Sequence, residues 1–222
     1  MSLLKLKFAI LAFIPAFLTF QYCHSLKHFV GRCPSPMPVQ NLNRTEFSGI
    51  WYAIQTYPAD NYYPNFTCSL VDYKLPSLDG TWIRETRHTD KSGRLPSNSA
   101  EVSFLSRDGS AYLNVDSWYN FTRAQKERIA QYGQSAEMVG LAKTTETKYS
   151  VYVLATDYSN YAVFWTCDQS WGSNYREKNL LITSRNLSIG NEAMETIKTT
   201  LNLQGITTTP LIKVDTSGCK SM

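Results

Sequence analysis

The sequence predicts an all-β protein: eight antiparallel strands in up-and-down order, closed into one barrel, with a C-terminal helix packed outside. Three observations carry this expectation. Eight runs rich in β-branched and aromatic residues recur between residues 50 and 184, bounded by Gly, Pro, Asp, Asn and Ser. Most connections between them are tight, which suits one antiparallel sheet whose closure removes exposed edges. The clearest helical spacing follows the last run.

The elements follow in order. Residues 31–48, rich in Pro, Asn and Ser, read as an extended lead-in. Ile50–Thr56 is the first strand and Cys68–Leu75 the second, ended by Pro76 and the hairpin signal Asp79-Gly80. Trp82–Thr89 is the third, turned by Asp90, Ser92 and Gly93. Ala100–Ser106 is the fourth, and Asp108-Gly109 turns it into the fifth, Ala111–Ser117. Tyr149–Ala155 and Tyr161–Thr166 are joined by Thr156–Asn160, and Leu180–Ser184 is the eighth. Over Ser188–Asn202, residues Ile189, Ala193, Met194, Ile197 and Leu201 form one apolar helical stripe suited to the barrel wall. Leu211–Val214 reads as a short last strand.

One segment departs from this meander. Residues 118–148 read as an insertion between the fifth and sixth strands, at the open end of the barrel. Within it, Arg123–Val139 has helical composition and places Ile129, Tyr132, Ala136 and Val139 on one face, against which Gly133 and Gly140 argue.

The N-terminus speaks to location. Lys5 and Lys7 precede an apolar run from Ala9 to Phe20 that is shorter than the ~20 residues a spanning helix needs. This is the pattern of a secretory signal peptide over 1–25, leaving 26–222 as a single domain and a secreted, extracellular protein with no membrane span. Of five cysteines, Cys23 leaves with the leader, and Cys33, Cys68, Cys167 and Cys219 remain for two disulfides with three connectivities open. In that compartment Asn43, Asn65, Asn120 and Asn186 are glycosylation acceptors by their Asn-x-Ser/Thr context. The end of the chain, Ser217–Met222, has no apolar tail for a lipid anchor.

The same residues argue against several activities. A net charge of +4 without a dense Lys/Arg stripe does not favour a nucleic-acid partner. No Cys-x-x-Cys pair, phosphate loop or zinc spacing occurs, and the histidines beyond the leader, His28 and His88, stand in no nucleophile or metal arrangement. No catalytic residue, metal or required cofactor is expected.

Three short motifs, in order and on the expected elements, carry a resemblance. Gly49-Ile50-Trp51 opens the first strand, Thr156-Asp157-Tyr158 forms the turn after the sixth, and Arg185 follows the eighth. In these the chain resembles the lipocalins over roughly residues 31–219. The lead-in Cys33-Pro-Ser-Pro with Val39-Gln40, and the stretch from Val153 to Ala162, are similar to the apolipoprotein D group with its insect bilin-binding and neural members. The resemblance implies disulfides Cys33–Cys167 and Cys68–Cys219. It also implies a closed base where Arg185 covers the Trp51 ring, Gly49 permits a close approach, and Asp157 and Tyr158 hold the turn.

Alternation from Trp51 points Ala53 and Gln55 into the lumen. Tyr73, Trp82, Arg84, His88, Phe104, Leu113, Val115, Val151, Val153 and Phe164 are further lining candidates, as are Tyr161 and Asn114. The inner face of the later strands stays open from sequence, because a wall covered by a helix is apolar on both sides. The ring-rich loop Tyr57–Phe66, with Tyr62 and Tyr63, is the candidate lid. An apolar lumen with a few polar groups suits a fatty acid, sterol, retinoid, carotenoid or bilin. The function expected is that of a secreted carrier of a small hydrophobic ligand. A protein-interaction module acting through the open-end loops is the alternative. A cell-surface receptor or a second copy of the chain are the further partners considered.

Overall fold

In chain order the elements are β1 (His28–Val30), α1 (Arg44–Phe47), β2 (Gly49–Thr56), β3 (Phe66–Tyr73), β4 (Ile83–Asp90), β5 (Gly93–Arg94), β6 (Ser97–Phe104), β7 (Tyr112–Asn120), β8 (Thr147–Thr156), β9 (Tyr161–Gln169), β10 (Tyr175–Ser184), α2 (Asn191–Leu203) and β11 (Ile212–Lys213), with a 3-10 turn over Ser217–Ser221. They come from a computed structural model that describes residues 28–30, 33–58, 66–91, 93–94, 97–120, 147–169 and 175–221. The expected leader 1–25, the helix 123–139, and Tyr62, Tyr63 and Asn65 lie outside the described residues.

The strands pair antiparallel along the path β10–β9–β8–β7–β6–β4–β3–β2, and β10 also pairs β2, which closes the eight-stranded barrel. β1 extends the sheet along the start of β10, and β11 lies against Gln55 and Thr56 at the end of β2. Successive residues of a strand face opposite sides of the sheet, so the register decides what the lumen sees. Val102 pairs Val115, Leu113 pairs Val151, and Val153 pairs Phe164, so these side chains share the inner face.

The opposite face of β8–β10 is also apolar because α2 covers it. Met194, Ile197 and Leu201 of α2 bury against Leu154, Val163, Trp165, Leu180 and Ile182. The helix stops at Gly205, whose φ of +69° continues the chain in the left-handed region. Gly205 N–H then donates to Asn202 O and Ile206 N–H to Leu201 O, while Ile206 buries beside Leu201. Two disulfides tie the ends of the chain to the barrel. Cys33–Cys167 (Cα–Cα 5.7 Å) joins the lead-in to β9, and Cys68–Cys219 (4.9 Å) joins the C-terminal 3-10 turn to β3.

Three sequence expectations need correction here. The lead-in is not extended throughout: α1 forms because the Asn43 side chain accepts from the N–H groups of Thr45 and Glu46, capping its first turn. The insertion is narrower than 118–148, because β7 continues to Asn120 and β8 begins at Thr147, with Ser117 paired to Thr147. Residues 121–146 between them lie outside the described residues.

Gln55 does not take the inward phase. Thr183 pairs Ala53 and Ile182 pairs Gln55, so Ile54 is an extra residue in β2. This bulge reverses the alternation. Thr56, paired with Leu181, takes the inner phase and its hydroxyl hydrogen-bonds Asn179 (3.1 Å). Gln55 shares the outer face with Ile182, which packs under α2.

Candidate functional site

One end of the barrel is sealed. The connections 74–82, 105–111 and 157–160 meet α1 there, and Phe47 enters the end of the lumen fully buried. Its ring lies 5.3 Å from Trp51, 5.1 Å from Tyr73, 6.2 Å from Trp82 and 5.9 Å from Phe164, mostly edge to face. Trp51 Nε1 donates to Phe47 O (2.9 Å), and Trp82 Nε1 donates to Lys74 O (3.0 Å), so neither buried indole loses its hydrogen bond.

Arg185 locks this floor from outside. Its guanidinium carbon lies 3.5 Å from the centre of the Trp51 ring, and its nitrogens donate to Tyr158 O, Ile50 O, Glu46 O and Phe47 O at 3.0–3.2 Å. Gly49 is required beneath it: φ is +102°, and a Cβ there would meet Arg185 Nη1 at 3.1 Å. In the adjoining turn, Asp157 accepts from the N–H groups of Asn160 and Tyr161, and Thr156 Oγ1 accepts from Tyr158 N–H. Tyr158, at φ +63°, in turn presents its carbonyl to Arg185. All six signature residues thus act on one structural joint.

The other expected lining residues divide by height. Trp82, Phe104, Leu113, Val153, Phe164 and Tyr73 belong to the packed floor. Above it the described lumen presents Val71, Arg84, Ala100, Val115, Tyr149 and Val151. Towards the mouth lie Ala53, Phe66, Ser69, Thr86, His88, Asn98 and Leu181. Tyr161 and Asn114 are not among them. Tyr161 alternates with the inward Ala162, and Asn114 with the inward Leu113 and Val115, so both face outwards.

The polar groups inside this lumen are unevenly served. Arg84, on β4, is only 8% exposed. It donates to the Tyr149 hydroxyl, and its guanidinium lies 5.3 Å from that ring's centre. Among the described residues its Nε has no hydrogen-bond partner, nor do the buried hydroxyls of Thr86, on the same face of β4, and Tyr73, across the strand pair. Burial pushes the Tyr73 phenol up, and the positive charge of Arg84 works against that. Nearer the mouth, His88 stacks on Phe66 (4.5 Å between centres), and burial pulls its imidazole down to about 4, so it is neutral at pH 7. Asp72 of β3 and Glu85 of β4 face the other way and pair with Lys74 and Arg87 on the outer surface.

Sequence reasoning missed Phe47, Phe66, Thr86 and Tyr149. Phe47 was legible in principle, since Asn43 followed by Glu46 is the spacing of a capped helix start. Thr86 and Tyr149 follow from alternation once Arg84 and Val151 are set inward. Among the described residues no cluster of His, Cys, Asp or Glu is arranged to hold a metal ion, and no helix is long and apolar enough to cross a membrane.

A closed eight-stranded barrel with a capped floor and an outer helix defines a class, and comparison with known proteins agrees. The model of the lipocalin / cytosolic fatty-acid binding protein family matches residues 101–217, and the chain belongs to that family. Insecticyanin-A of Manduca sexta is 26% identical over 142 residues, covering 63% of this chain and 61% of that relative's length. The solved structure of insecticyanin from the tobacco hornworm Manduca sexta superposes with a TM-score of 0.64 at 18% identity, covering 85% of this chain and 88% of that one. The tryptamine complex of the amine binding protein of Rhodnius prolixus superposes at 0.60 and 15% identity, covering 86% and 88%. These structures share the fold.

Proposed function

We propose that the protein is a secreted carrier that holds a small, largely apolar ligand in the lumen above the Trp51–Trp82 floor, and that it is a binding protein rather than an enzyme. The observation that carries this reading is the contrast within the lumen. The floor satisfies its indoles, whereas Arg84 Nε and Thr86 Oγ1 above it, and Tyr73 OH where the floor meets Arg84, are buried without a hydrogen-bond partner among the described residues. Each unsatisfied buried polar group costs about 1–3 kcal/mol. A ligand with an apolar body and a polar group recovers that cost, and the aliphatic wall of Val71, Val115 and Val151 receives its body.

The family supports the class of cargo. Binding of an apolar or amphiphilic small molecule accounts for the site, with bilin, carotenoid, retinoid, sterol and fatty acid as the ligands to try. Export is supported by the leader pattern of 1–25 and by two disulfides that an oxidising compartment would maintain. Asn186, exposed beside the floor, is then a glycan acceptor open to modification. Asn43 is exposed as well, but its Nδ2 already donates to Glu46 (2.6 Å).

The test is titration of purified protein with biliverdin, retinol, cholesterol and oleic acid, read by tryptophan quenching. Binding of at least one tighter than roughly 10 μM, about 7 kcal/mol, is expected. Failure of every apolar class would overturn the carrier reading in favour of a module that acts through its loops.

A further inference from the structure

Arg84 places a positive charge inside the lumen. Arg84 is more than nine-tenths buried, and among the described residues no carboxylate pairs with it. The described residues that surround it on the inner face are Val71, Tyr73, Thr86, Ala100 and Tyr149, all uncharged. Of the acids on its own and neighbouring strands, Glu85, Asp72 and Glu101 alternate to the outside, and Asp90, which keeps the phase of Arg84, stands at the far end of β4 opposite Phe66. A guanidinium keeps its charge at physiological pH, and a buried charge without a counter-charge is costly. Tyr149 supplies a ring face and a hydroxyl, which eases this cost without neutralising it.

From this we infer that the ligand is an amphiphilic acid whose anionic group, a carboxylate, seats on Arg84. The inference rests on the carrier reading and deepens it. Arg84 Nε is the open donor, and the hydroxyls of Thr86 and Tyr73, also open, donate to the same anion. An ammonium ligand is disfavoured by the same charge, which separates this lumen from one built for amines such as tryptamine. Phe66 and neutral His88, stacked nearer the mouth, offer an apolar surface along the ligand's body.

The experiment compares pairs of equal skeleton and different head: lauric acid against dodecanol, and retinoic acid against retinol, titrated at pH 7.5 into wild type and Arg84→Gln. Wild type is expected to bind each acid about tenfold to a hundredfold more tightly than its alcohol, as a charge-assisted hydrogen bond implies. Arg84→Gln is expected to lose that preference while still binding the alcohols. Equal binding of acid and alcohol by wild type overturns the inference and leaves the carrier reading standing. Binding of neither member of either pair overturns the inference, and with failure of the wider panel it removes the carrier reading as well. The wild-type comparison needs no variant, so it decides even if Arg84→Gln fails to fold.

Discussion

Arg185 offers the sharpest test of the sealed floor. Replacing it by methionine keeps an apolar stem and removes the guanidinium. Four carbonyl acceptors, on Glu46, Phe47, Ile50 and Tyr158, lose their donor together, and the Trp51 ring loses its cation. The bonds to Tyr158 and Phe47 are part-buried and charge-assisted, for which about 1.5–3 kcal/mol each is the usual range. Those to Ile50 and Glu46 are exposed, so water replaces them at little cost. The ring contact adds about 0.5–2 kcal/mol. Discounted for the partial exposure of the side chain, the expected loss is about 2–4 kcal/mol, or roughly 4–16 °C in Tm for a domain of this size. Urea unfolding followed by tryptophan emission measures it. Arg185→Lys should fall between wild type and Arg185→Met, because an ammonium keeps the charge but not the planar fork. A loss below about 1 kcal/mol for Arg185→Met would refute the reasoning.

Other consequences are open to measurement. Ile197→Ala, which empties the centre of the α2 stripe, should cost about 2–4 kcal/mol in urea unfolding, and an unchanged midpoint would mean that the helix does not hold to the wall. Replacing Cys68 and Cys219 together by serine should cost on the order of 4–5 kcal/mol through the loop of 151 residues it opens, and hydrogen exchange should rise first at β11. His88 is held neutral by burial, with its folded value depressed from 6.5 to about 4. Its contribution is therefore complete above pH 6.5 and is lost as pH falls towards 4, up to about 3 kcal/mol. Wild type should lose unfolding free energy relative to His88→Leu as pH falls across that window, and a pH-independent difference would refute the burial account.

The fold was legible because its elements follow strong local rules. Alternating runs between turn formers locate all eight barrel strands, and the stripe through Met194, Ile197 and Leu201 locates α2. The departures occur where one residue or one distant contact decides. The extra residue Ile54 sends Gln55 outwards and Thr56 inwards, and nothing in the run Gly49–Thr56 announces it, since β2 bulges to meet the register of β10. The faces of β7 to β10 were undecided because both are apolar; only pairing with strands of known facing resolves them. Arg84 and His88 could be named as polar lining candidates from sequence. That Arg84 lacks a counter-charge among the described residues could not, since this depends on which way Glu85, Asp72 and Glu101 turn in three paired strands.

The central claim is that the lumen above the Trp51–Trp82 floor is the binding site. A crystal structure of the protein saturated with the tightest ligand of the titrations tests it most directly. The account predicts continuous ligand density inside the barrel, its body against Val71, Val115 and Val151 and its polar end within hydrogen-bond distance of Arg84. Ligand density confined to the outer surface, with Arg84 and Thr86 still unpartnered, would contradict it.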